Sequence, residues 1–316
     1  MAINKVVYDG STLIDLTGDT VTAATLGKGA TAHDKAGNQI VGTMEAGESS
    51  RFGATLDTFM GDVDSNGVLQ APSAETNLVF SGVTDLGDNA LAYVYSNSSG
   101  IKSLAFPNLG KISGTSAMLS ICDNCKSLAS VQFPILKEVT ANSACKYMLR
   151  GCTLLESIKF PLLETITGHE AFREAFISCS NLESVQFPKL KKIGDDTATG
   201  TNTGHFYFAF RNASKVTSLE FPELTAIYCT SNTGAGTFYG NGQIQKMYFP
   251  KLSVIDKSPA YSSVATSNAQ NNIFLSCSSL TEIHFGAANQ AAIEATSGYP
   301  TLWGRGAGNA TVYFDL

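Results

Sequence analysis

Charge is scarce in this sequence. Asp, Glu, Lys and Arg make up 15% of 316 residues, against about 25% in typical globular chains. The balance is acidic, 21 Lys and Arg against 27 Asp and Glu, a net of −6. A nucleic-acid binder needs a basic stripe, and this composition excludes one. Long apolar runs are missing too. No stretch reaches the roughly 18 apolar residues of a transmembrane helix, so no membrane insertion is expected. Met1 to Leu16 alternates apolar residues with Asn4, Lys5, Asp9 and Asp15. A secretory signal needs a continuous apolar core of roughly 7–15 residues there. The expectation is a chain that stays in the cytoplasm of the cell making it, or leaves by another route. No heptad stretch points to a coiled coil.

Catalytic equipment is equally thin. The four histidines, His33, His169, His205 and His284, are scattered. No G-x-S-x-G elbow or H-E-x-x-H run accompanies them. Gly304-Arg305-Gly306-Ala307-Gly308 lacks the lysine of a phosphate loop and reads as an ordinary loop. The expectation is a non-enzyme with no cofactor. Cysteines number seven, an odd count in a chain too large for a disulfide scaffold.

What the chain does have is repetition. Phe-Pro occurs at Phe106, Phe133, Phe160, Phe187, Phe221 and Phe249, and Phe285-Gly286 continues the series. Phe80 and Phe314 extend it at either end. Other apolar columns keep register with that phenylalanine. Two residues before it stand Leu104, Val131, Ile158, Val185, Leu219, Met247 and Ile283. Three after it stand Leu109, Leu136, Leu163, Leu190, Leu224 and Leu252, and six after it Ile112, Val139, Ile166, Ile193, Ile227 and Ile255. Each unit reads as a short strand with Val185 and Phe187 inward and Ser184 and Gln186 outward. Proline then stops the strand, having no N–H for the ladder. A turn and an irregular or short helical return complete the unit. The expected fold is an α/β-type solenoid of about eight rungs with a 27-residue period, its strands stacked in parallel.

The unit Leu182-Glu183-Ser184-Val185-Gln186-Phe187-Pro188-Lys189-Leu190-Lys191-Lys192-Ile193, with Ala175-Phe176-Ile177-Ser178-Cys179, resembles the BspA-like, Treponema-type leucine-rich repeat. The resemblance covers residues 76–316 and implies a leucine-rich-repeat solenoid. End rungs depart from the pattern as caps should. Glu75 replaces an apolar residue in the Phe80 unit, and Trp303 is placed to cover the far end.

Residues 1–43 read as a small β-hairpin attachment module, and 44–75 as linker and N-terminal cap. Ile3–Tyr8 and Thr12–Leu16 flank the Asp9-Gly10 turn, and His33-Asp34-Lys35 and Gln39–Thr43 flank Ala36-Gly37-Asn38. Asp19-Thr20 could cap a helical turn over Val21–Leu26. Met44–Ser50 has linker composition. The string Asp19 to Ala24, Gly29 to Gly37 and Ile40 to Thr43 resembles a module of phage and prophage tail-associated proteins of Gram-positive gut bacteria. That resemblance implies attachment to a particle at the N-terminus and display of the solenoid.

Two motifs invite metal chemistry. Cys122-Asp123-Asn124-Cys125 has redox or zinc spacing. Yet Cys125 falls in the same column as Cys152, Cys179 and Cys277, which makes buried thiols the better account. Asp62, Asp64 and Asn66 with Gly67 match the first half of a calcium loop. Ser73 stands where the bidentate Glu belongs, so an Asx-rich turn accounts for the residues as well.

The outward strand positions are the candidate binding surface. One before the phenylalanine stand Gln132, Lys159, Gln186, Glu220, Tyr248 and His284. Solenoids bind through such extended faces. Longer returns at Asp195–Phe206 and Asp256–Asn272 are further candidates, as insertions in a repeat often flank the binding face. The leading expectation is a virion tail-associated or receptor-binding protein. Its partners would be other tail proteins and a host-surface protein or glycan, with homo-oligomers formed through the N-terminal module. The alternative is a bacterial cell-surface leucine-rich-repeat adhesin.

Overall fold

The structure, a computed structural model, describes residues 5–8, 11–15, 31–33, 38–41, 76–80, 82–197, 204–229, 236–256, 273–296 and 310–316. The Asp19–Leu26 turn, the Met44–Ser50 linker, the Asp62–Gly67 loop, Glu75, Trp303 and Gly304–Gly308 lie outside the described residues. So do residues 198–203 and 257–272 of the two long returns. The chain divides into two compact units, Met1–Leu56 and Asp57–Leu316.

The first unit holds two hairpins at the expected places. Strand β1 (Lys5–Tyr8) runs antiparallel to β2 (Ser11–Asp15), with Val6 opposite Ile14. Strand β3 (Thr31–His33) pairs with β4 (Gln39–Val41), with Ala32 opposite Ile40. Short segments rich in β-branched residues beside Gly and Asn turns fold this way.

The second unit is the solenoid. Its first sheet face carries β5 (Thr76–Val79), β6 (Ile101–Ala105), β8 (Ser130–Gln132), β10 (Ser157–Lys159), β12 (Ser184–Gln186), β14 (Ser218–Glu220), β16 (Lys246–Phe249), β18 (Glu282–Phe285) and β19 (Thr311–Phe314). The second carries β7 (Lys111–Ile112), β9 (Glu138–Val139), β11 (Thr165–Ile166), β13 (Lys192–Ile193), β15 (Ala226–Tyr228) and β17 (Val254–Asp256). All these ladders are parallel, and they keep the sequence columns in register: Ile158 faces Val185, and Ile166 faces Ile193. The second sheet runs unbroken from β7 to β17. The first is split into β5-β6-β8, β10-β12 and β14-β16-β18-β19.

The return side is built of tandem turns rather than helix. In Gly87–Ser98 the N–H groups of Ala90, Ala92, Val94, Ser96 and Ser98 each close a turn on the carbonyl three residues back. The alternate N–H groups, of Asn89, Leu91, Tyr93, Tyr95 and Asn97, donate to Thr115, Ala117, Leu119, Ile121 and Asp123 of the next rung. An α-helix would use every N–H within its own rung and leave none to join the next. The alternation requires a left-handed residue at every fourth position, and Asn89, Tyr93 and Asn97 have φ of 54°, 61° and 63°. In the column nine before the phenylalanine this conformation falls on Asn97, Asn124, Gly151, Ser178, Asn212, Gly240 and Ser276. Gly and Asn tolerate it best. Among the described residues the only α-helix is α1 (Gln290–Glu294), after a 3-10 turn at Ala287–Asn289.

The core is the set of columns read from the sequence. The strand phenylalanines stack from Phe80 to Phe314 with centroids 4.6 to 5.8 Å apart. A second ladder, Phe172, Phe206, Phe238 and Phe274, packs against it with spacings of 5.5 to 5.9 Å. No rung could bury these rings alone, so each depends on its neighbours.

Candidate functional site

Alternation along the short strands sets the sheet face. Val131, Ile158 and Val185 point into the core, while Gln132, Lys159 and Gln186 are exposed. Glu220 is exposed on β14 in the same column. The structure therefore places the expected column in one row along the face. It does not treat its members alike.

Toward the C-terminal end the row is a closed stack. The Tyr248, His284 and Tyr313 rings lie parallel, with centroids 4.8 and 4.7 Å apart. Nδ1 of His284 is 2.9 Å from Asp315, and its Nε2 is 3.1 Å from Glu282. Glu282 is also paired with Lys246 at 2.9 Å. Burial alone would lower the pKa of His284, but its hydrogen bonds to the Asp315 and Glu282 carboxylates outweigh it and hold it above the ordinary value. Lys246 first, and His284 second, hold the Glu282 carboxyl below its own. Lys246, Glu282, His284 and Asp315 thus satisfy one another, within β18 and across to the neighbouring rungs.

The middle of the face is different. Gln132 and Lys159 occupy adjacent strands between which the ladder does not run. Phe106 N donates to Gln132 O at 3.0 Å, and Phe160 N to Gln186 O at 2.9 Å. Among the described residues no equivalent bond runs from Phe133 to Lys159. A groove of about 280 Å³ opens there, lined by Ser130, Gln132, Pro134, Ser157, Lys159 and Pro161, with Val131, Phe133 and Ile158 at its floor. The β12–β14 junction, which separates Gln186 from Glu220, is the other break in this sheet.

Sequence reasoning missed two features of this face. Tyr313 stacks on His284 and Asp315 hydrogen-bonds to it, and neither stands among the residues expected to bind. Ile135 and Leu162, 39% and 37% exposed, stand beside the groove's prolines. Their signal was in the sequence: the column two after the phenylalanine reads Asn108, Lys189, Glu223 and Lys251 on the other Phe-Pro rungs, and Ala287 and Leu316 on the last two.

The return side carries a second polar constellation. Arg150 is ion-paired with Asp123 and lies 4.9 Å over the Tyr147 ring. Arg173 pairs with Glu170 and Glu174 and lies 4.7 Å over Tyr207, which stacks on Tyr239 at 4.9 Å. Lys146 reaches Glu170 at 3.0 Å. Burial would raise the Glu170 pKa, yet Lys146 and Arg173 bring it below the ordinary value. These groups satisfy one another across rungs, which suits a staple more than a receptor.

The cysteines are accounted for by the backbone. All seven are free and buried. The thiols of Cys125, Cys152, Cys179 and Cys277 donate to the carbonyls of Tyr95, Cys122, Leu149 and Phe238 at 2.9 to 3.1 Å. Burial pushes the Cys179 and Cys277 thiols up to about 12. They act as small side chains with a weak donor. Among the described residues no three His, Cys, Asp or Glu side chains gather as a metal site would require. No described helix is long and apolar enough to cross a membrane.

Comparison with known proteins agrees with this geometry. Residues 79–205 and 173–259 match the BspA type leucine rich repeat region, in six copies. A solved structure of a leucine rich cell surface protein from Faecalibacterium prausnitzii A2-165 aligns with 78% of this chain and 98% of its own, at 12% identity and a TM-score of 0.23. A score that low carries no argument about function. No curated protein matches the chain.

Proposed function

The chain belongs to the BspA-type leucine-rich-repeat family, and from that premise we propose that it is a non-enzymatic recognition protein acting at a bacterial cell surface. The observation that carries this reading is the state of the sheet face. Its middle rungs present Gln132, Lys159 and Gln186 to solvent, whereas the return side and the C-terminal rungs spend their polar groups on one another. The solenoid backbone holds these side chains at fixed positions with their polar groups unspent, so a partner has donors and acceptors to meet and the ordering cost of contact is confined to the side-chain rotamers. The partner is a protein or glycan on another cell, and no cofactor takes part.

A second reading has its own observation. The two hairpins of Met1–Leu56 form a unit separate from the solenoid, and their sequence resembles the attachment module of phage tail proteins. In that reading the solenoid recognises a host from a virion, and the N-terminal unit assembles the chain, as a homo-oligomer or onto other tail proteins.

The test is binding of the labelled chain to intact Gram-positive bacteria, intact epithelial cells and immobilised mucin. Saturable binding to one of these surfaces supports recognition. Absence of saturable binding to all three removes it. Localisation separates the two readings: antibody labelling of intact producing bacteria supports the surface protein, and co-sedimentation with phage particles supports the tail protein.

A further inference from the structure

We infer that the groove between β8 and β10 is the recognition site of this solenoid, and that it takes an extended acidic peptide carrying an aliphatic side chain next to its carboxylate. The inference rests on the recognition reading and names the ligand class for it.

Three independent features meet at this place. The first is the break in the sheet. Where a ladder stops, the backbone groups of the facing edges are left for water or a ligand, and the β8–β10 break opens a groove of about 280 Å³. That volume is slightly below the roughly 300 Å³ at which small-molecule pockets begin. It suits one side chain with its backbone.

The second is charge. Lys159 is exposed and forms no ion pair among the described residues. Several lysines on other rungs are committed, Lys191 to Glu164 at 2.8 Å, Lys215 to Glu183 at 3.1 Å and Lys246 to Glu282 at 2.9 Å. Lys126, Lys137 and Lys189 form no ion pair among the described residues either, and Lys159 differs from them by lining the groove. Gln132 stands across the groove with its amide unspent. A carboxylate on Lys159 and a backbone amide on Gln132 use both walls.

The third is apolar surface. Ile135 and Leu162 are exposed immediately beyond Pro134 and Pro161, at the two rungs that form the groove. On the other Phe-Pro rungs that column is polar, Asn108, Lys189, Glu223 and Lys251, while the last two rungs carry Ala287 and Leu316. No exposed aromatic ring lines the groove, so a sugar finds no face to stack on. An aliphatic side chain finds Pro134 and Pro161 in the groove lining, with Ile135 and Leu162 exposed next to them in the chain.

The experiment pans a displayed library of random heptapeptides on the immobilised full chain, and measures selected peptides on wild type and on Lys159→Glu, Leu162→Asp and Lys126→Glu chains. All three positions are exposed, and circular dichroism melts check that each variant folds. The result expected is enrichment of Asp or Glu beside Leu, Ile or Val. Lys159→Glu should weaken binding roughly fivefold or more, the upper range for an exposed ion pair with repulsion added. Exchanging the peptide's acid for Lys should restore it. Leu162→Asp should weaken it, and Lys126→Glu, the same charge change away from the sheet face, should not.

Selected peptides without an acid, or binding indifferent to Lys159→Glu, overturn the inference. So does a hyaluronan oligosaccharide that binds saturably and is lost with Lys159→Glu, which would make the groove a saccharide site. Cell binding separates the two levels. If wild type and Lys159→Glu chains bind cells alike, the groove assignment falls and the recognition reading stands. If selected peptides bind the groove but the chain binds no surface, the groove stands and the recognition reading falls.

Discussion

Phe160 and Phe187 lie face to face, their ring centroids 5.2 Å apart and their planes 2° from parallel, although 27 residues separate them. That one stack expresses the whole architecture: a one-dimensional column in which each rung is completed by the next. Phe160 also stacks on Phe133 at 5.4 Å and is fully buried. Phe160→Ala should cost about 3–5 kcal/mol. Phe314→Ala, in the last described rung and only half-buried, should cost less. Urea melts of the two variants give the comparison, and equal losses would contradict the nearest-neighbour account.

Gly168 is held by close approach. A Cβ there would stand 1.8 Å from the Ala141 carbonyl oxygen in the preceding rung. Gly168→Ala must therefore push two rungs apart, and should destabilise by more than the roughly 1 kcal/mol scale of ordinary Gly and Ala exchanges. Gly110→Ala, whose added Cβ would meet its nearest neighbour at 4.0 Å, is the control and should stay within that scale. Thermal melts of both decide it.

Two histidines should give pH effects of opposite sign. His205 is fully buried, and burial lowers its pKa to about 3. The unfolded chain then binds the extra proton, so His205 costs stability as pH falls from about 6.5, its unfolded value, toward 3. His284 has a raised pKa through Asp315 and Glu282. Its contribution is fully present below about 6.5 and is lost as pH rises through its higher folded value. Replacing His205 with Phe should flatten the acid limb of the stability curve. Replacing His284 with Gln should flatten the change above neutrality. Urea midpoints measured from pH 4 to pH 9 test both signs.

The cysteines should be silent in the native state. Their thiols are buried and several are bonded to carbonyls. Burial raises the pKa of Cys122, Cys145, Cys152, Cys179 and Cys277, so reactive thiolate is scarce there. Cys125, lowered by its hydrogen bond with Cys122, is shielded by burial alone. A thiol reagent at pH 8 should label the chain only as fast as it unfolds, with all seven thiols appearing in denaturant. Rapid labelling of Cys122 or Cys125 in native protein would reopen a redox role for that pair.

Much of this was legible in the sequence because a solenoid repeats its reasons. Every inward column, from Leu109 and Leu136 to Ile166 and Ile193, was readable from spacing, as were the short strands that proline ends. The backbone of the return was not readable. Whether an N–H closes a turn on its own rung or reaches the next depends on neighbours, and Tyr93 with φ of 61° has no propensity signal for it. The outward row at Gln132, Lys159, Gln186, Glu220, Tyr248 and His284 was also readable by alternation. Its division into a self-satisfied end and an open middle was not, because that depends on where the ladder breaks. Periodicity says nothing of the break, since β8 and β10 repeat as regularly as β10 and β12.

The central claim is that the sheet face recognises and the return side holds the rungs together. The most direct measurement is cell-surface binding by two variants, each assayed well below its own melting temperature. One carries Gln132→Ala, Lys159→Ala and Gln186→Ala on the sheet face. The other carries Tyr147→Ala and Tyr239→Ala on the return side. The account predicts that the first loses binding and the second keeps it. Loss confined to the second, with the sheet-face variant binding like wild type, would contradict it.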